Sequence, residues 1–311
     1  MKNKLTVTIG IPVFNEGRNI KKLLNSLLKQ GQQGFVLEKI IIYNDNSTDN
    51  TRQIVEEMAA LYPLITITTV KKRVGKCMLL NKIYKANKSD VLVTFDGDIA
   101  IRKRTVLKNM IKHFHNPRVG LVSANDFPYE TKNFAQKVIG AWFMLWYAIR
   151  KNLNNGDTLY NVHGVAQAIR KNLARKIVYP KGITADQDYL YLSVKKSKYT
   201  FVHAQDAVVY IYLPRTFSEY YFQTQRFLSE KDPVREEFAD LALRYYNVPR
   251  LKKIIGILSS IYSRPFYTIV GLVMYMRFLL PNNIVDPLNK KGMWTQISST
   301  KGSLKKIKFI I

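Results

Sequence analysis

Val91-Leu92-Val93-Thr94-Phe95-Asp96-Gly97-Asp98 sets the reading of everything around it. Its first five residues are apolar or β-branched without polar alternation. That composition suits a strand covered on both faces, as in a parallel sheet. The acid-glycine-acid triplet then falls at the carboxyl end of that strand, where open α/β sheets bind ligands. Two carboxylates separated by a glycine can reach one hard divalent cation while the backbone passes close by. An ordinary acidic turn has the same composition, so the triplet needs company.

The company lies on both sides. Strand patterns recur at residues 6–13, 39–43, 65–70 and 119–123. Between them residues 18–29 read as a helix with Ile20, Leu23, Leu24, Leu27 and Leu28 on one stripe. A second helix covers residues 51–61, opened by Ser47, Thr48 or Asp49 as its cap. Such alternation predicts an α/β fold with a mostly parallel sheet and helices on both faces. The residues just past the strands are Asn15-Glu16, Asn44-Asp45, Lys71-Lys72-Arg73 and Asp96-Gly97-Asp98, all polar or charged apart from one glycine. Further on, residues 134–153 form an aromatic helix with Trp142, Trp146 and Tyr147, residues 164–170 and 198–212 read as strands, and 217–228 as a helix.

Three more motifs carry chemistry. Arg73-Val74-Gly75-Lys76, with Asn81 beyond it, places a lysine at a helix start, where it can meet a phosphate or simply face solvent. Neither a P-loop nor a G-x-G-x-x-G loop is present. Thr184-Ala185-Asp186-Gln187-Asp188 supplies a second acidic pair, able to act as a general base or as a helix cap. Gln223-Thr224-Gln225-Arg226-Phe227 puts Gln223, Arg226 and Phe227 on neighbouring faces of one helix, a guanidinium fork beside an aromatic face. His163, directly before Gly164, is a candidate to reach substrate; His113 and His115 read as surface residues.

In this order the motifs resemble the family-2 glycosyltransferases of GT-A fold, and within them the branch of the chitin, cellulose and hyaluronan synthases. Ile11-Pro12-Val13-Phe14-Asn15-Glu16 looks like that family's first strand and turn, and Asn44-Asp45-Asn46-Ser47-Thr48-Asp49 its Asp-Asp-Gly-Ser-Thr-Asp. Gly75-Lys76 through Asn81 is similar to its Gly-Lys…Asn segment, and Asp96-Gly97-Asp98 to its metal motif. Pro214-Arg215-Thr216 followed by Gln223…Arg226-Phe227 is similar to its Pro-Arg-Thr and Gln-x-x-Arg-Trp. The likeness covers residues 6–230. Three departures stand out: Asn44 replaces an acid, Ala185 stands where glutamate often precedes the base, and Phe227 replaces tryptophan.

The resemblance implies a Rossmann-like mixed sheet and inverting transfer of a sugar from a nucleotide diphosphate sugar, UDP-linked by preference, to a hydroxyl of a glycan or lipid-linked acceptor. It assigns Pro12, Asn15, Glu16, Asn44, Asp45, Lys76 and Asp96 to the donor nucleotide, and Asp96 with Asp98 to Mg²⁺ or Mn²⁺. Gln223, Arg226 and Phe227 fall to the diphosphate and acceptor, and Asp186 becomes the general base.

The 311 residues are 47% hydrophobic and 23% charged, a globular composition. A single cysteine, Cys77, excludes a disulfide framework. The net charge of +27 attracts polyanions without choosing among them. A basic nucleic-acid-binding protein is the rival reading, although the cations are spread along the chain and no nucleic-acid motif occurs, so no specific nucleic acid is expected. An inactive scaffold of the same fold is another.

Residues 231–311 read as a separate helical part with a lysine-rich tail after Trp294. Residues 254–280 are strongly apolar, but Arg264-Pro265 splits them and lysines flank them. An interfacial helix pair, one short tilted span and a buried core pair all fit this pattern. The expected location is the cytoplasmic face of a membrane, against anionic headgroups.

Overall fold

In a computed structural model that describes residues 4–151, 153–183, 185–229 and 231–279, Val91–Phe95 is a strand with every residue buried. Around it the chain runs β1 (Leu5–Val13), α1 (Ile20–Leu28), β2 (Phe35–Asn44), α2 (Thr51–Leu61), β3 (Ile65–Thr69), α3 (Lys76–Ala86), β4 (Val91–Phe95), α4 (Val106–Ile111) and β5 (Val119–Pro128). There follow α5 (Phe134–Arg150), β6 (Ala166–Arg170), α6 (Lys171–Ala174), α7 (Asp186–Lys196) and β7 (Thr200–Ile211). The helices α8 (Phe217–Ser229), α9 (Lys231–Tyr246), α10 (Arg250–Ser263) and α11 (Pro265–Leu279) complete the described part. The lysine-rich tail lies outside the described residues.

The seven strands form one sheet in the order β3-β2-β1-β4-β6-β5-β7. β1 pairs parallel with β2 and β4, β2 with β3, and β5 with β7. Only β6 is reversed, antiparallel to both β4 and β5. The sheet is therefore mixed and mostly parallel, as the alternation predicts. The ends of β1, β2 and β4 open on one edge.

Each face of the sheet has its own core. On one side Leu23, Leu24, Val55, Leu107 and Met110 of α1, α2 and α4 pack on Val7, Ile9 and Val93. On the other, Leu80 and Ile83 of α3, Leu190 and Tyr191 of α7, and Phe238 of α9 pack on Leu92, Leu121 and Ile169. α3 approaches β1 very closely, because residue 10 is glycine: a Cβ there would fall 2.3 Å from Ile83 Cγ2. That approach fixes where α3 begins, and α3 begins with Lys76.

One boundary differs from the sequence reading for a local reason, and one helix start agrees with it. α5 stops at Arg150 rather than residue 153, since Asn154 and Asn155 adopt left-handed backbone (φ 49° and 55°). α2 is capped from outside its own N-cap: Asp49 Oδ1 accepts the Thr51 N–H at 3.0 Å. The apolar C-terminal stretch is a pair of helices broken at Arg264, as the Arg-Pro break predicts. α9 packs onto α7, with Phe238 edge-on to Tyr189 at 5.2 Å.

Candidate active site

The turn after β1 is built from polar side chains that satisfy one another. Asn15 adopts φ +54°, a region asparagine tolerates better than most residues. Its Oδ1 accepts the Thr48 N–H at 2.8 Å, and its own N–H donates to Ser47 Oγ at 3.0 Å. Glu16 is 4% exposed; its backbone N–H donates to Thr51 Oγ1 at 2.7 Å and its carboxylate accepts from Asn19 Nδ2 at 3.2 Å. Glu16 also leans on the acid-glycine-acid turn, where a Cβ at residue 97 would fall 2.6 Å from Glu16 Cγ. Pro12 is buried within β1, opposite Tyr43 of β2.

Asn44 and Asp45 end β2 and divide their work. Asn44 is fully buried; its Oδ1 accepts from the Ser47 N–H at 3.1 Å while its Nδ2 donates to Thr69 Oγ1 at 3.2 Å. An amide can accept and donate at once, which a carboxylate cannot. Asp45 accepts the N–H groups of Val74 at 2.7 Å and Gly75 at 2.9 Å. The Arg73 guanidinium lies 3.9 Å from the centre of the Phe14 ring, with its Nε 3.8 Å from Asp45 Oδ2. Asp45 thus pins the loop whose next residue is Lys76. Gly75, the N-cap of α3, takes φ +90°, which favours glycine.

Lys76 joins the two acidic motifs. Its Nζ lies 2.7 Å from Asp96 Oδ1 and 3.0 Å from Asp186 Oδ2, and donates to the Gly164 carbonyl at 3.3 Å. Burial alone would lower the Lys76 ammonium, but the carboxylates of Asp186 and Asp96 outweigh it and raise it, so it stays charged. Burial pushes Asp96 up to about 6, with Lys76 opposing and the carboxylates of Asp98 and Asp186 adding to the rise. Gly164 closes the hollow: a Cβ on it would fall 2.8 Å from Asp186 Oδ2 and 3.0 Å from Lys76 Nζ. Asp186 is the first residue of α7, and β6 delivers Gly164 to it from across the sheet.

Asp96 and Asp98 offer oxygen ligands, which Mg²⁺ and Mn²⁺ prefer. Among the described residues no three acids, histidines or cysteines gather into a cage for a metal. Two carboxylates fit a cation whose remaining ligands are phosphate oxygens and water, as is usual for Mg²⁺.

Other expected residues have other surroundings. Asp188 accepts from the Tyr246 hydroxyl at 2.6 Å and is 7% exposed, so α9 holds it. Asn81 staples α3 to Tyr179: Nδ2 donates to the Tyr179 carbonyl at 2.9 Å and Oδ1 accepts its N–H at 2.8 Å. Gln223 is half-buried on α8. The side chains of Arg226 and Phe227 lie outside the described residues, as does Thr184.

His163 turns inward: Nδ1 is 3.1 Å from Asp126 Oδ2, and Nε2 is 3.1 Å from the Tyr160 carbonyl. Asp126 in turn meets Arg150 at 3.1 Å, and Arg150 donates to Asn161 Oδ1 at 3.0 Å. Burial would raise Asp126, yet His163 and Arg150 hold it well below the usual carboxylate range. This network anchors the segment leading to Gly164. Sequence reading missed it, because Asp126 and Arg150 stand in a strand and a helix with nothing local to mark them as partners.

Residues 8–178 match the model of the glycosyl transferase family 2, more than half of the chain. A probable glycosyltransferase of Bacillus subtilis is 30% identical over 125 residues, covering 39% of this chain and 30% of the relative. Curated relatives of this kind are matched over only 20% to 40% of their own length. Among solved structures, a mannosyltransferase of Pyrobaculum calidifontis in complex with GDP-Man and Mn²⁺ superposes with a TM-score of 0.60 at 19% identity, covering 91% of this chain and 77% of that one. Glucosyl-3-phosphoglycerate synthase of Mycobacterium tuberculosis, with Mn²⁺ and UDP, reaches 0.50 at 14% identity over 74% of this chain and 80% of its own. Those two structures share the fold. On the match to its family model, the chain belongs to glycosyl transferase family 2.

Proposed function

We propose that this protein is an inverting, divalent-metal-dependent hexosyltransferase that uses a nucleotide diphosphate sugar, UDP-linked by preference, and a hydroxyl of a glycan or lipid-linked acceptor. The observation that carries the proposal is the pairing of Asp96 and Asp186 across one hollow, both within 3.0 Å of Lys76 Nζ. One acidic motif then serves the donor and the other the acceptor. The family match, the GDP-Man bound by one structural relative and the UDP bound by the other support the donor class. The narrower likeness to the chitin, cellulose and hyaluronan synthases rests on Pro214-Arg215-Thr216 and the Gln223…Arg226 spacing.

Asp96 and Asp98 would hold Mg²⁺ or Mn²⁺, which supplies positive charge against the diphosphate as it leaves. Lys76 adds a fixed ammonium on the same side; a unit charge pair at ~4 Å in an effective dielectric of ~20 is worth ~4 kcal/mol. Only the part of that attraction that grows in the transition state speeds the reaction. Asp186 Oδ2 takes the proton of the acceptor hydroxyl while that oxygen attacks the anomeric carbon and the bond to the diphosphate breaks. Asn15, Glu16, Asn44 and Asp45 shape the nucleotide end, Asp45 by holding the Arg73–Gly75 loop. Pro12, Gln223, Arg226 and Phe227 complete the proposed set.

The test is a screen of UDP- and GDP-sugars with Mn²⁺, Mg²⁺ or chelator, reading nucleotide release and sugar transfer. Release that requires the cation and is lost in Asp98→Asn supports the reading. Full turnover in chelator, or no release from any sugar nucleotide, overturns it.

A further inference from the structure

The hairpin of α10 and α11 packs on α5 inside out for a pair of helices facing water. At its closest approaches the inward residues are small. A Cβ on Gly256 would fall 2.2 Å from Ile149 Cγ1, and Gly271 faces Val138 and Trp142. Ser260 and Thr268 are buried and bond each other across the hairpin at 2.8 Å. Ile257, Leu272 and Tyr275 also pack inward, but many of the large apolar side chains point the other way. Leu251, Ile255, Leu258 and Tyr262 recur along one face of α10 and are 66%, 52%, 61% and 92% exposed. α11 repeats the pattern from Phe266 to Met276, 61% and 60% exposed. A helix bathed in water puts its large apolar residues inward. Small residues inward and large ones outward is the packing of helices whose outer surroundings are hydrocarbon.

Charge selects the partner. Residues 247–279 contain Arg250, Lys252, Lys253, Arg264 and Arg277, all exposed, and no acid at all. Two copies of this face would bring like charges together, whereas anionic headgroups neutralise them. The helices have 14 and 15 residues, about 21–23 Å at ~1.5 Å per residue. That is short of a hydrocarbon core of ~30 Å, and among the described residues no helix is long and apolar enough to cross a membrane.

We propose that the outer face of the α10–α11 hairpin seats in an anionic lipid surface, with its apolar stripe in the acyl boundary and its cations at the headgroups. The seat is coupled to the site by packed rings. Tyr275 of α11 stacks on Trp142 at 4.4 Å, and Trp146, one turn further along α5, stacks on Tyr160 at 5.7 Å, close in sequence to Gly164. On the other side Gln225 of α8 donates to the Phe278 carbonyl at 2.8 Å. A surface-bound hairpin thus lies against the elements that border the acceptor side, which suits an acceptor delivered from the same membrane.

Sedimentation with vesicles tests the proposal, comparing phosphatidylcholine alone with phosphatidylcholine mixed with phosphatidylglycerol. The intact protein is expected to pellet with the mixed vesicles, far less with the neutral ones, and to dissociate as salt is raised. Leu258→Glu/Ile269→Glu should lower partitioning by at least about tenfold, given what a charge costs in an apolar boundary. Lys252→Glu/Lys253→Glu should remove the preference for anionic vesicles. All four positions are exposed, so both variants should keep the parent melting temperature. Intact protein left in the supernatant with mixed vesicles, or a Leu258→Glu/Ile269→Glu variant that pellets like the parent, overturns the proposal. So does a dimer by light scattering that the same double substitution converts to monomer. Nucleotide release measured on these samples stands apart, so a failed transferase reading and a failed membrane reading are told apart.

Discussion

Asp186 and Gly164 show how narrow the chemistry is at the scale of single residues. Asp186→Asn keeps the shape of the side chain and its position at the head of α7, but an amide cannot take the acceptor's proton. Donor binding, read by thermal shift with the sugar nucleotide and Mn²⁺, should be unchanged while transfer falls by ~10²–10⁴. Gly164→Ala probes the same oxygen sterically. The added methyl would crowd Asp186 Oδ2 and Lys76 Nζ at 2.8 and 3.0 Å, so one of them must move. Transfer should drop by about 10² with the melting temperature little changed, since small misplacements of reacting groups are costly. An Asp186→Asn enzyme with parent activity would deny that residue its role, and Asp188, already bonded to Tyr246, is poorly placed to replace it. Asp96, Asp98, Lys76 and Asp186 were visible in the sequence because each stands in a short motif. Gly164 was visible only as a glycine beside a histidine, because its importance comes from Lys76 and Asp186 meeting it from distant parts of the chain.

Between elements, the contact of α3 with β1 sets the reach of Lys76, and Gly10 sets that contact. Gly10→Ala would place a methyl 2.3 Å from Ile83 Cγ2, both groups being buried in a packed core. Overpacking of this kind costs about 1–3 kcal/mol. Urea unfolding should show that loss, and Ile83→Ala in the same chain should recover part of it; additive losses in the double variant would disprove the contact. The same packing explains which elements could be read beforehand. Helix α1 has one apolar stripe and β4 one run of apolar or β-branched residues, so the sequence pattern finds both. Helix α7 buries Tyr189, Leu190, Tyr191, Leu192 and Val194 in succession, between the sheet and α9. With almost no exposed face it has no stripe, and its first acids read equally well as a general base or as a helix cap.

On the scale of the whole molecule, the sequence located the apolar C-terminal stretch and its break, but not which faces turn outward; that depends on Gly256 and Gly271 meeting α5. Stability, by contrast, is tied to a group that the sequence reading placed only as a strand residue. His203 in β7 is 9% exposed, and burial with the nearby Arg150 and His163 lowers it to about 4, against 6.5 when unperturbed, while Asp126 works the other way. Its folded value lies below its unfolded one, so the unfolded chain binds the extra proton over that interval. The contribution of His203 is therefore fully present above pH 6.5 and is lost as the pH falls from there through 4. The loss reaches about 3 kcal/mol, at ~1.4 kcal/mol per unit of displacement. The +27 charge adds its own repulsion in acid, spread over the entire surface. Urea unfolding of the intact protein at pH 7.5 and pH 4.5 should show the decline, and His203→Gln should flatten it by removing the titrating ring. An equally steep decline in His203→Gln would assign the whole effect to the distributed charge and none to the buried imidazole.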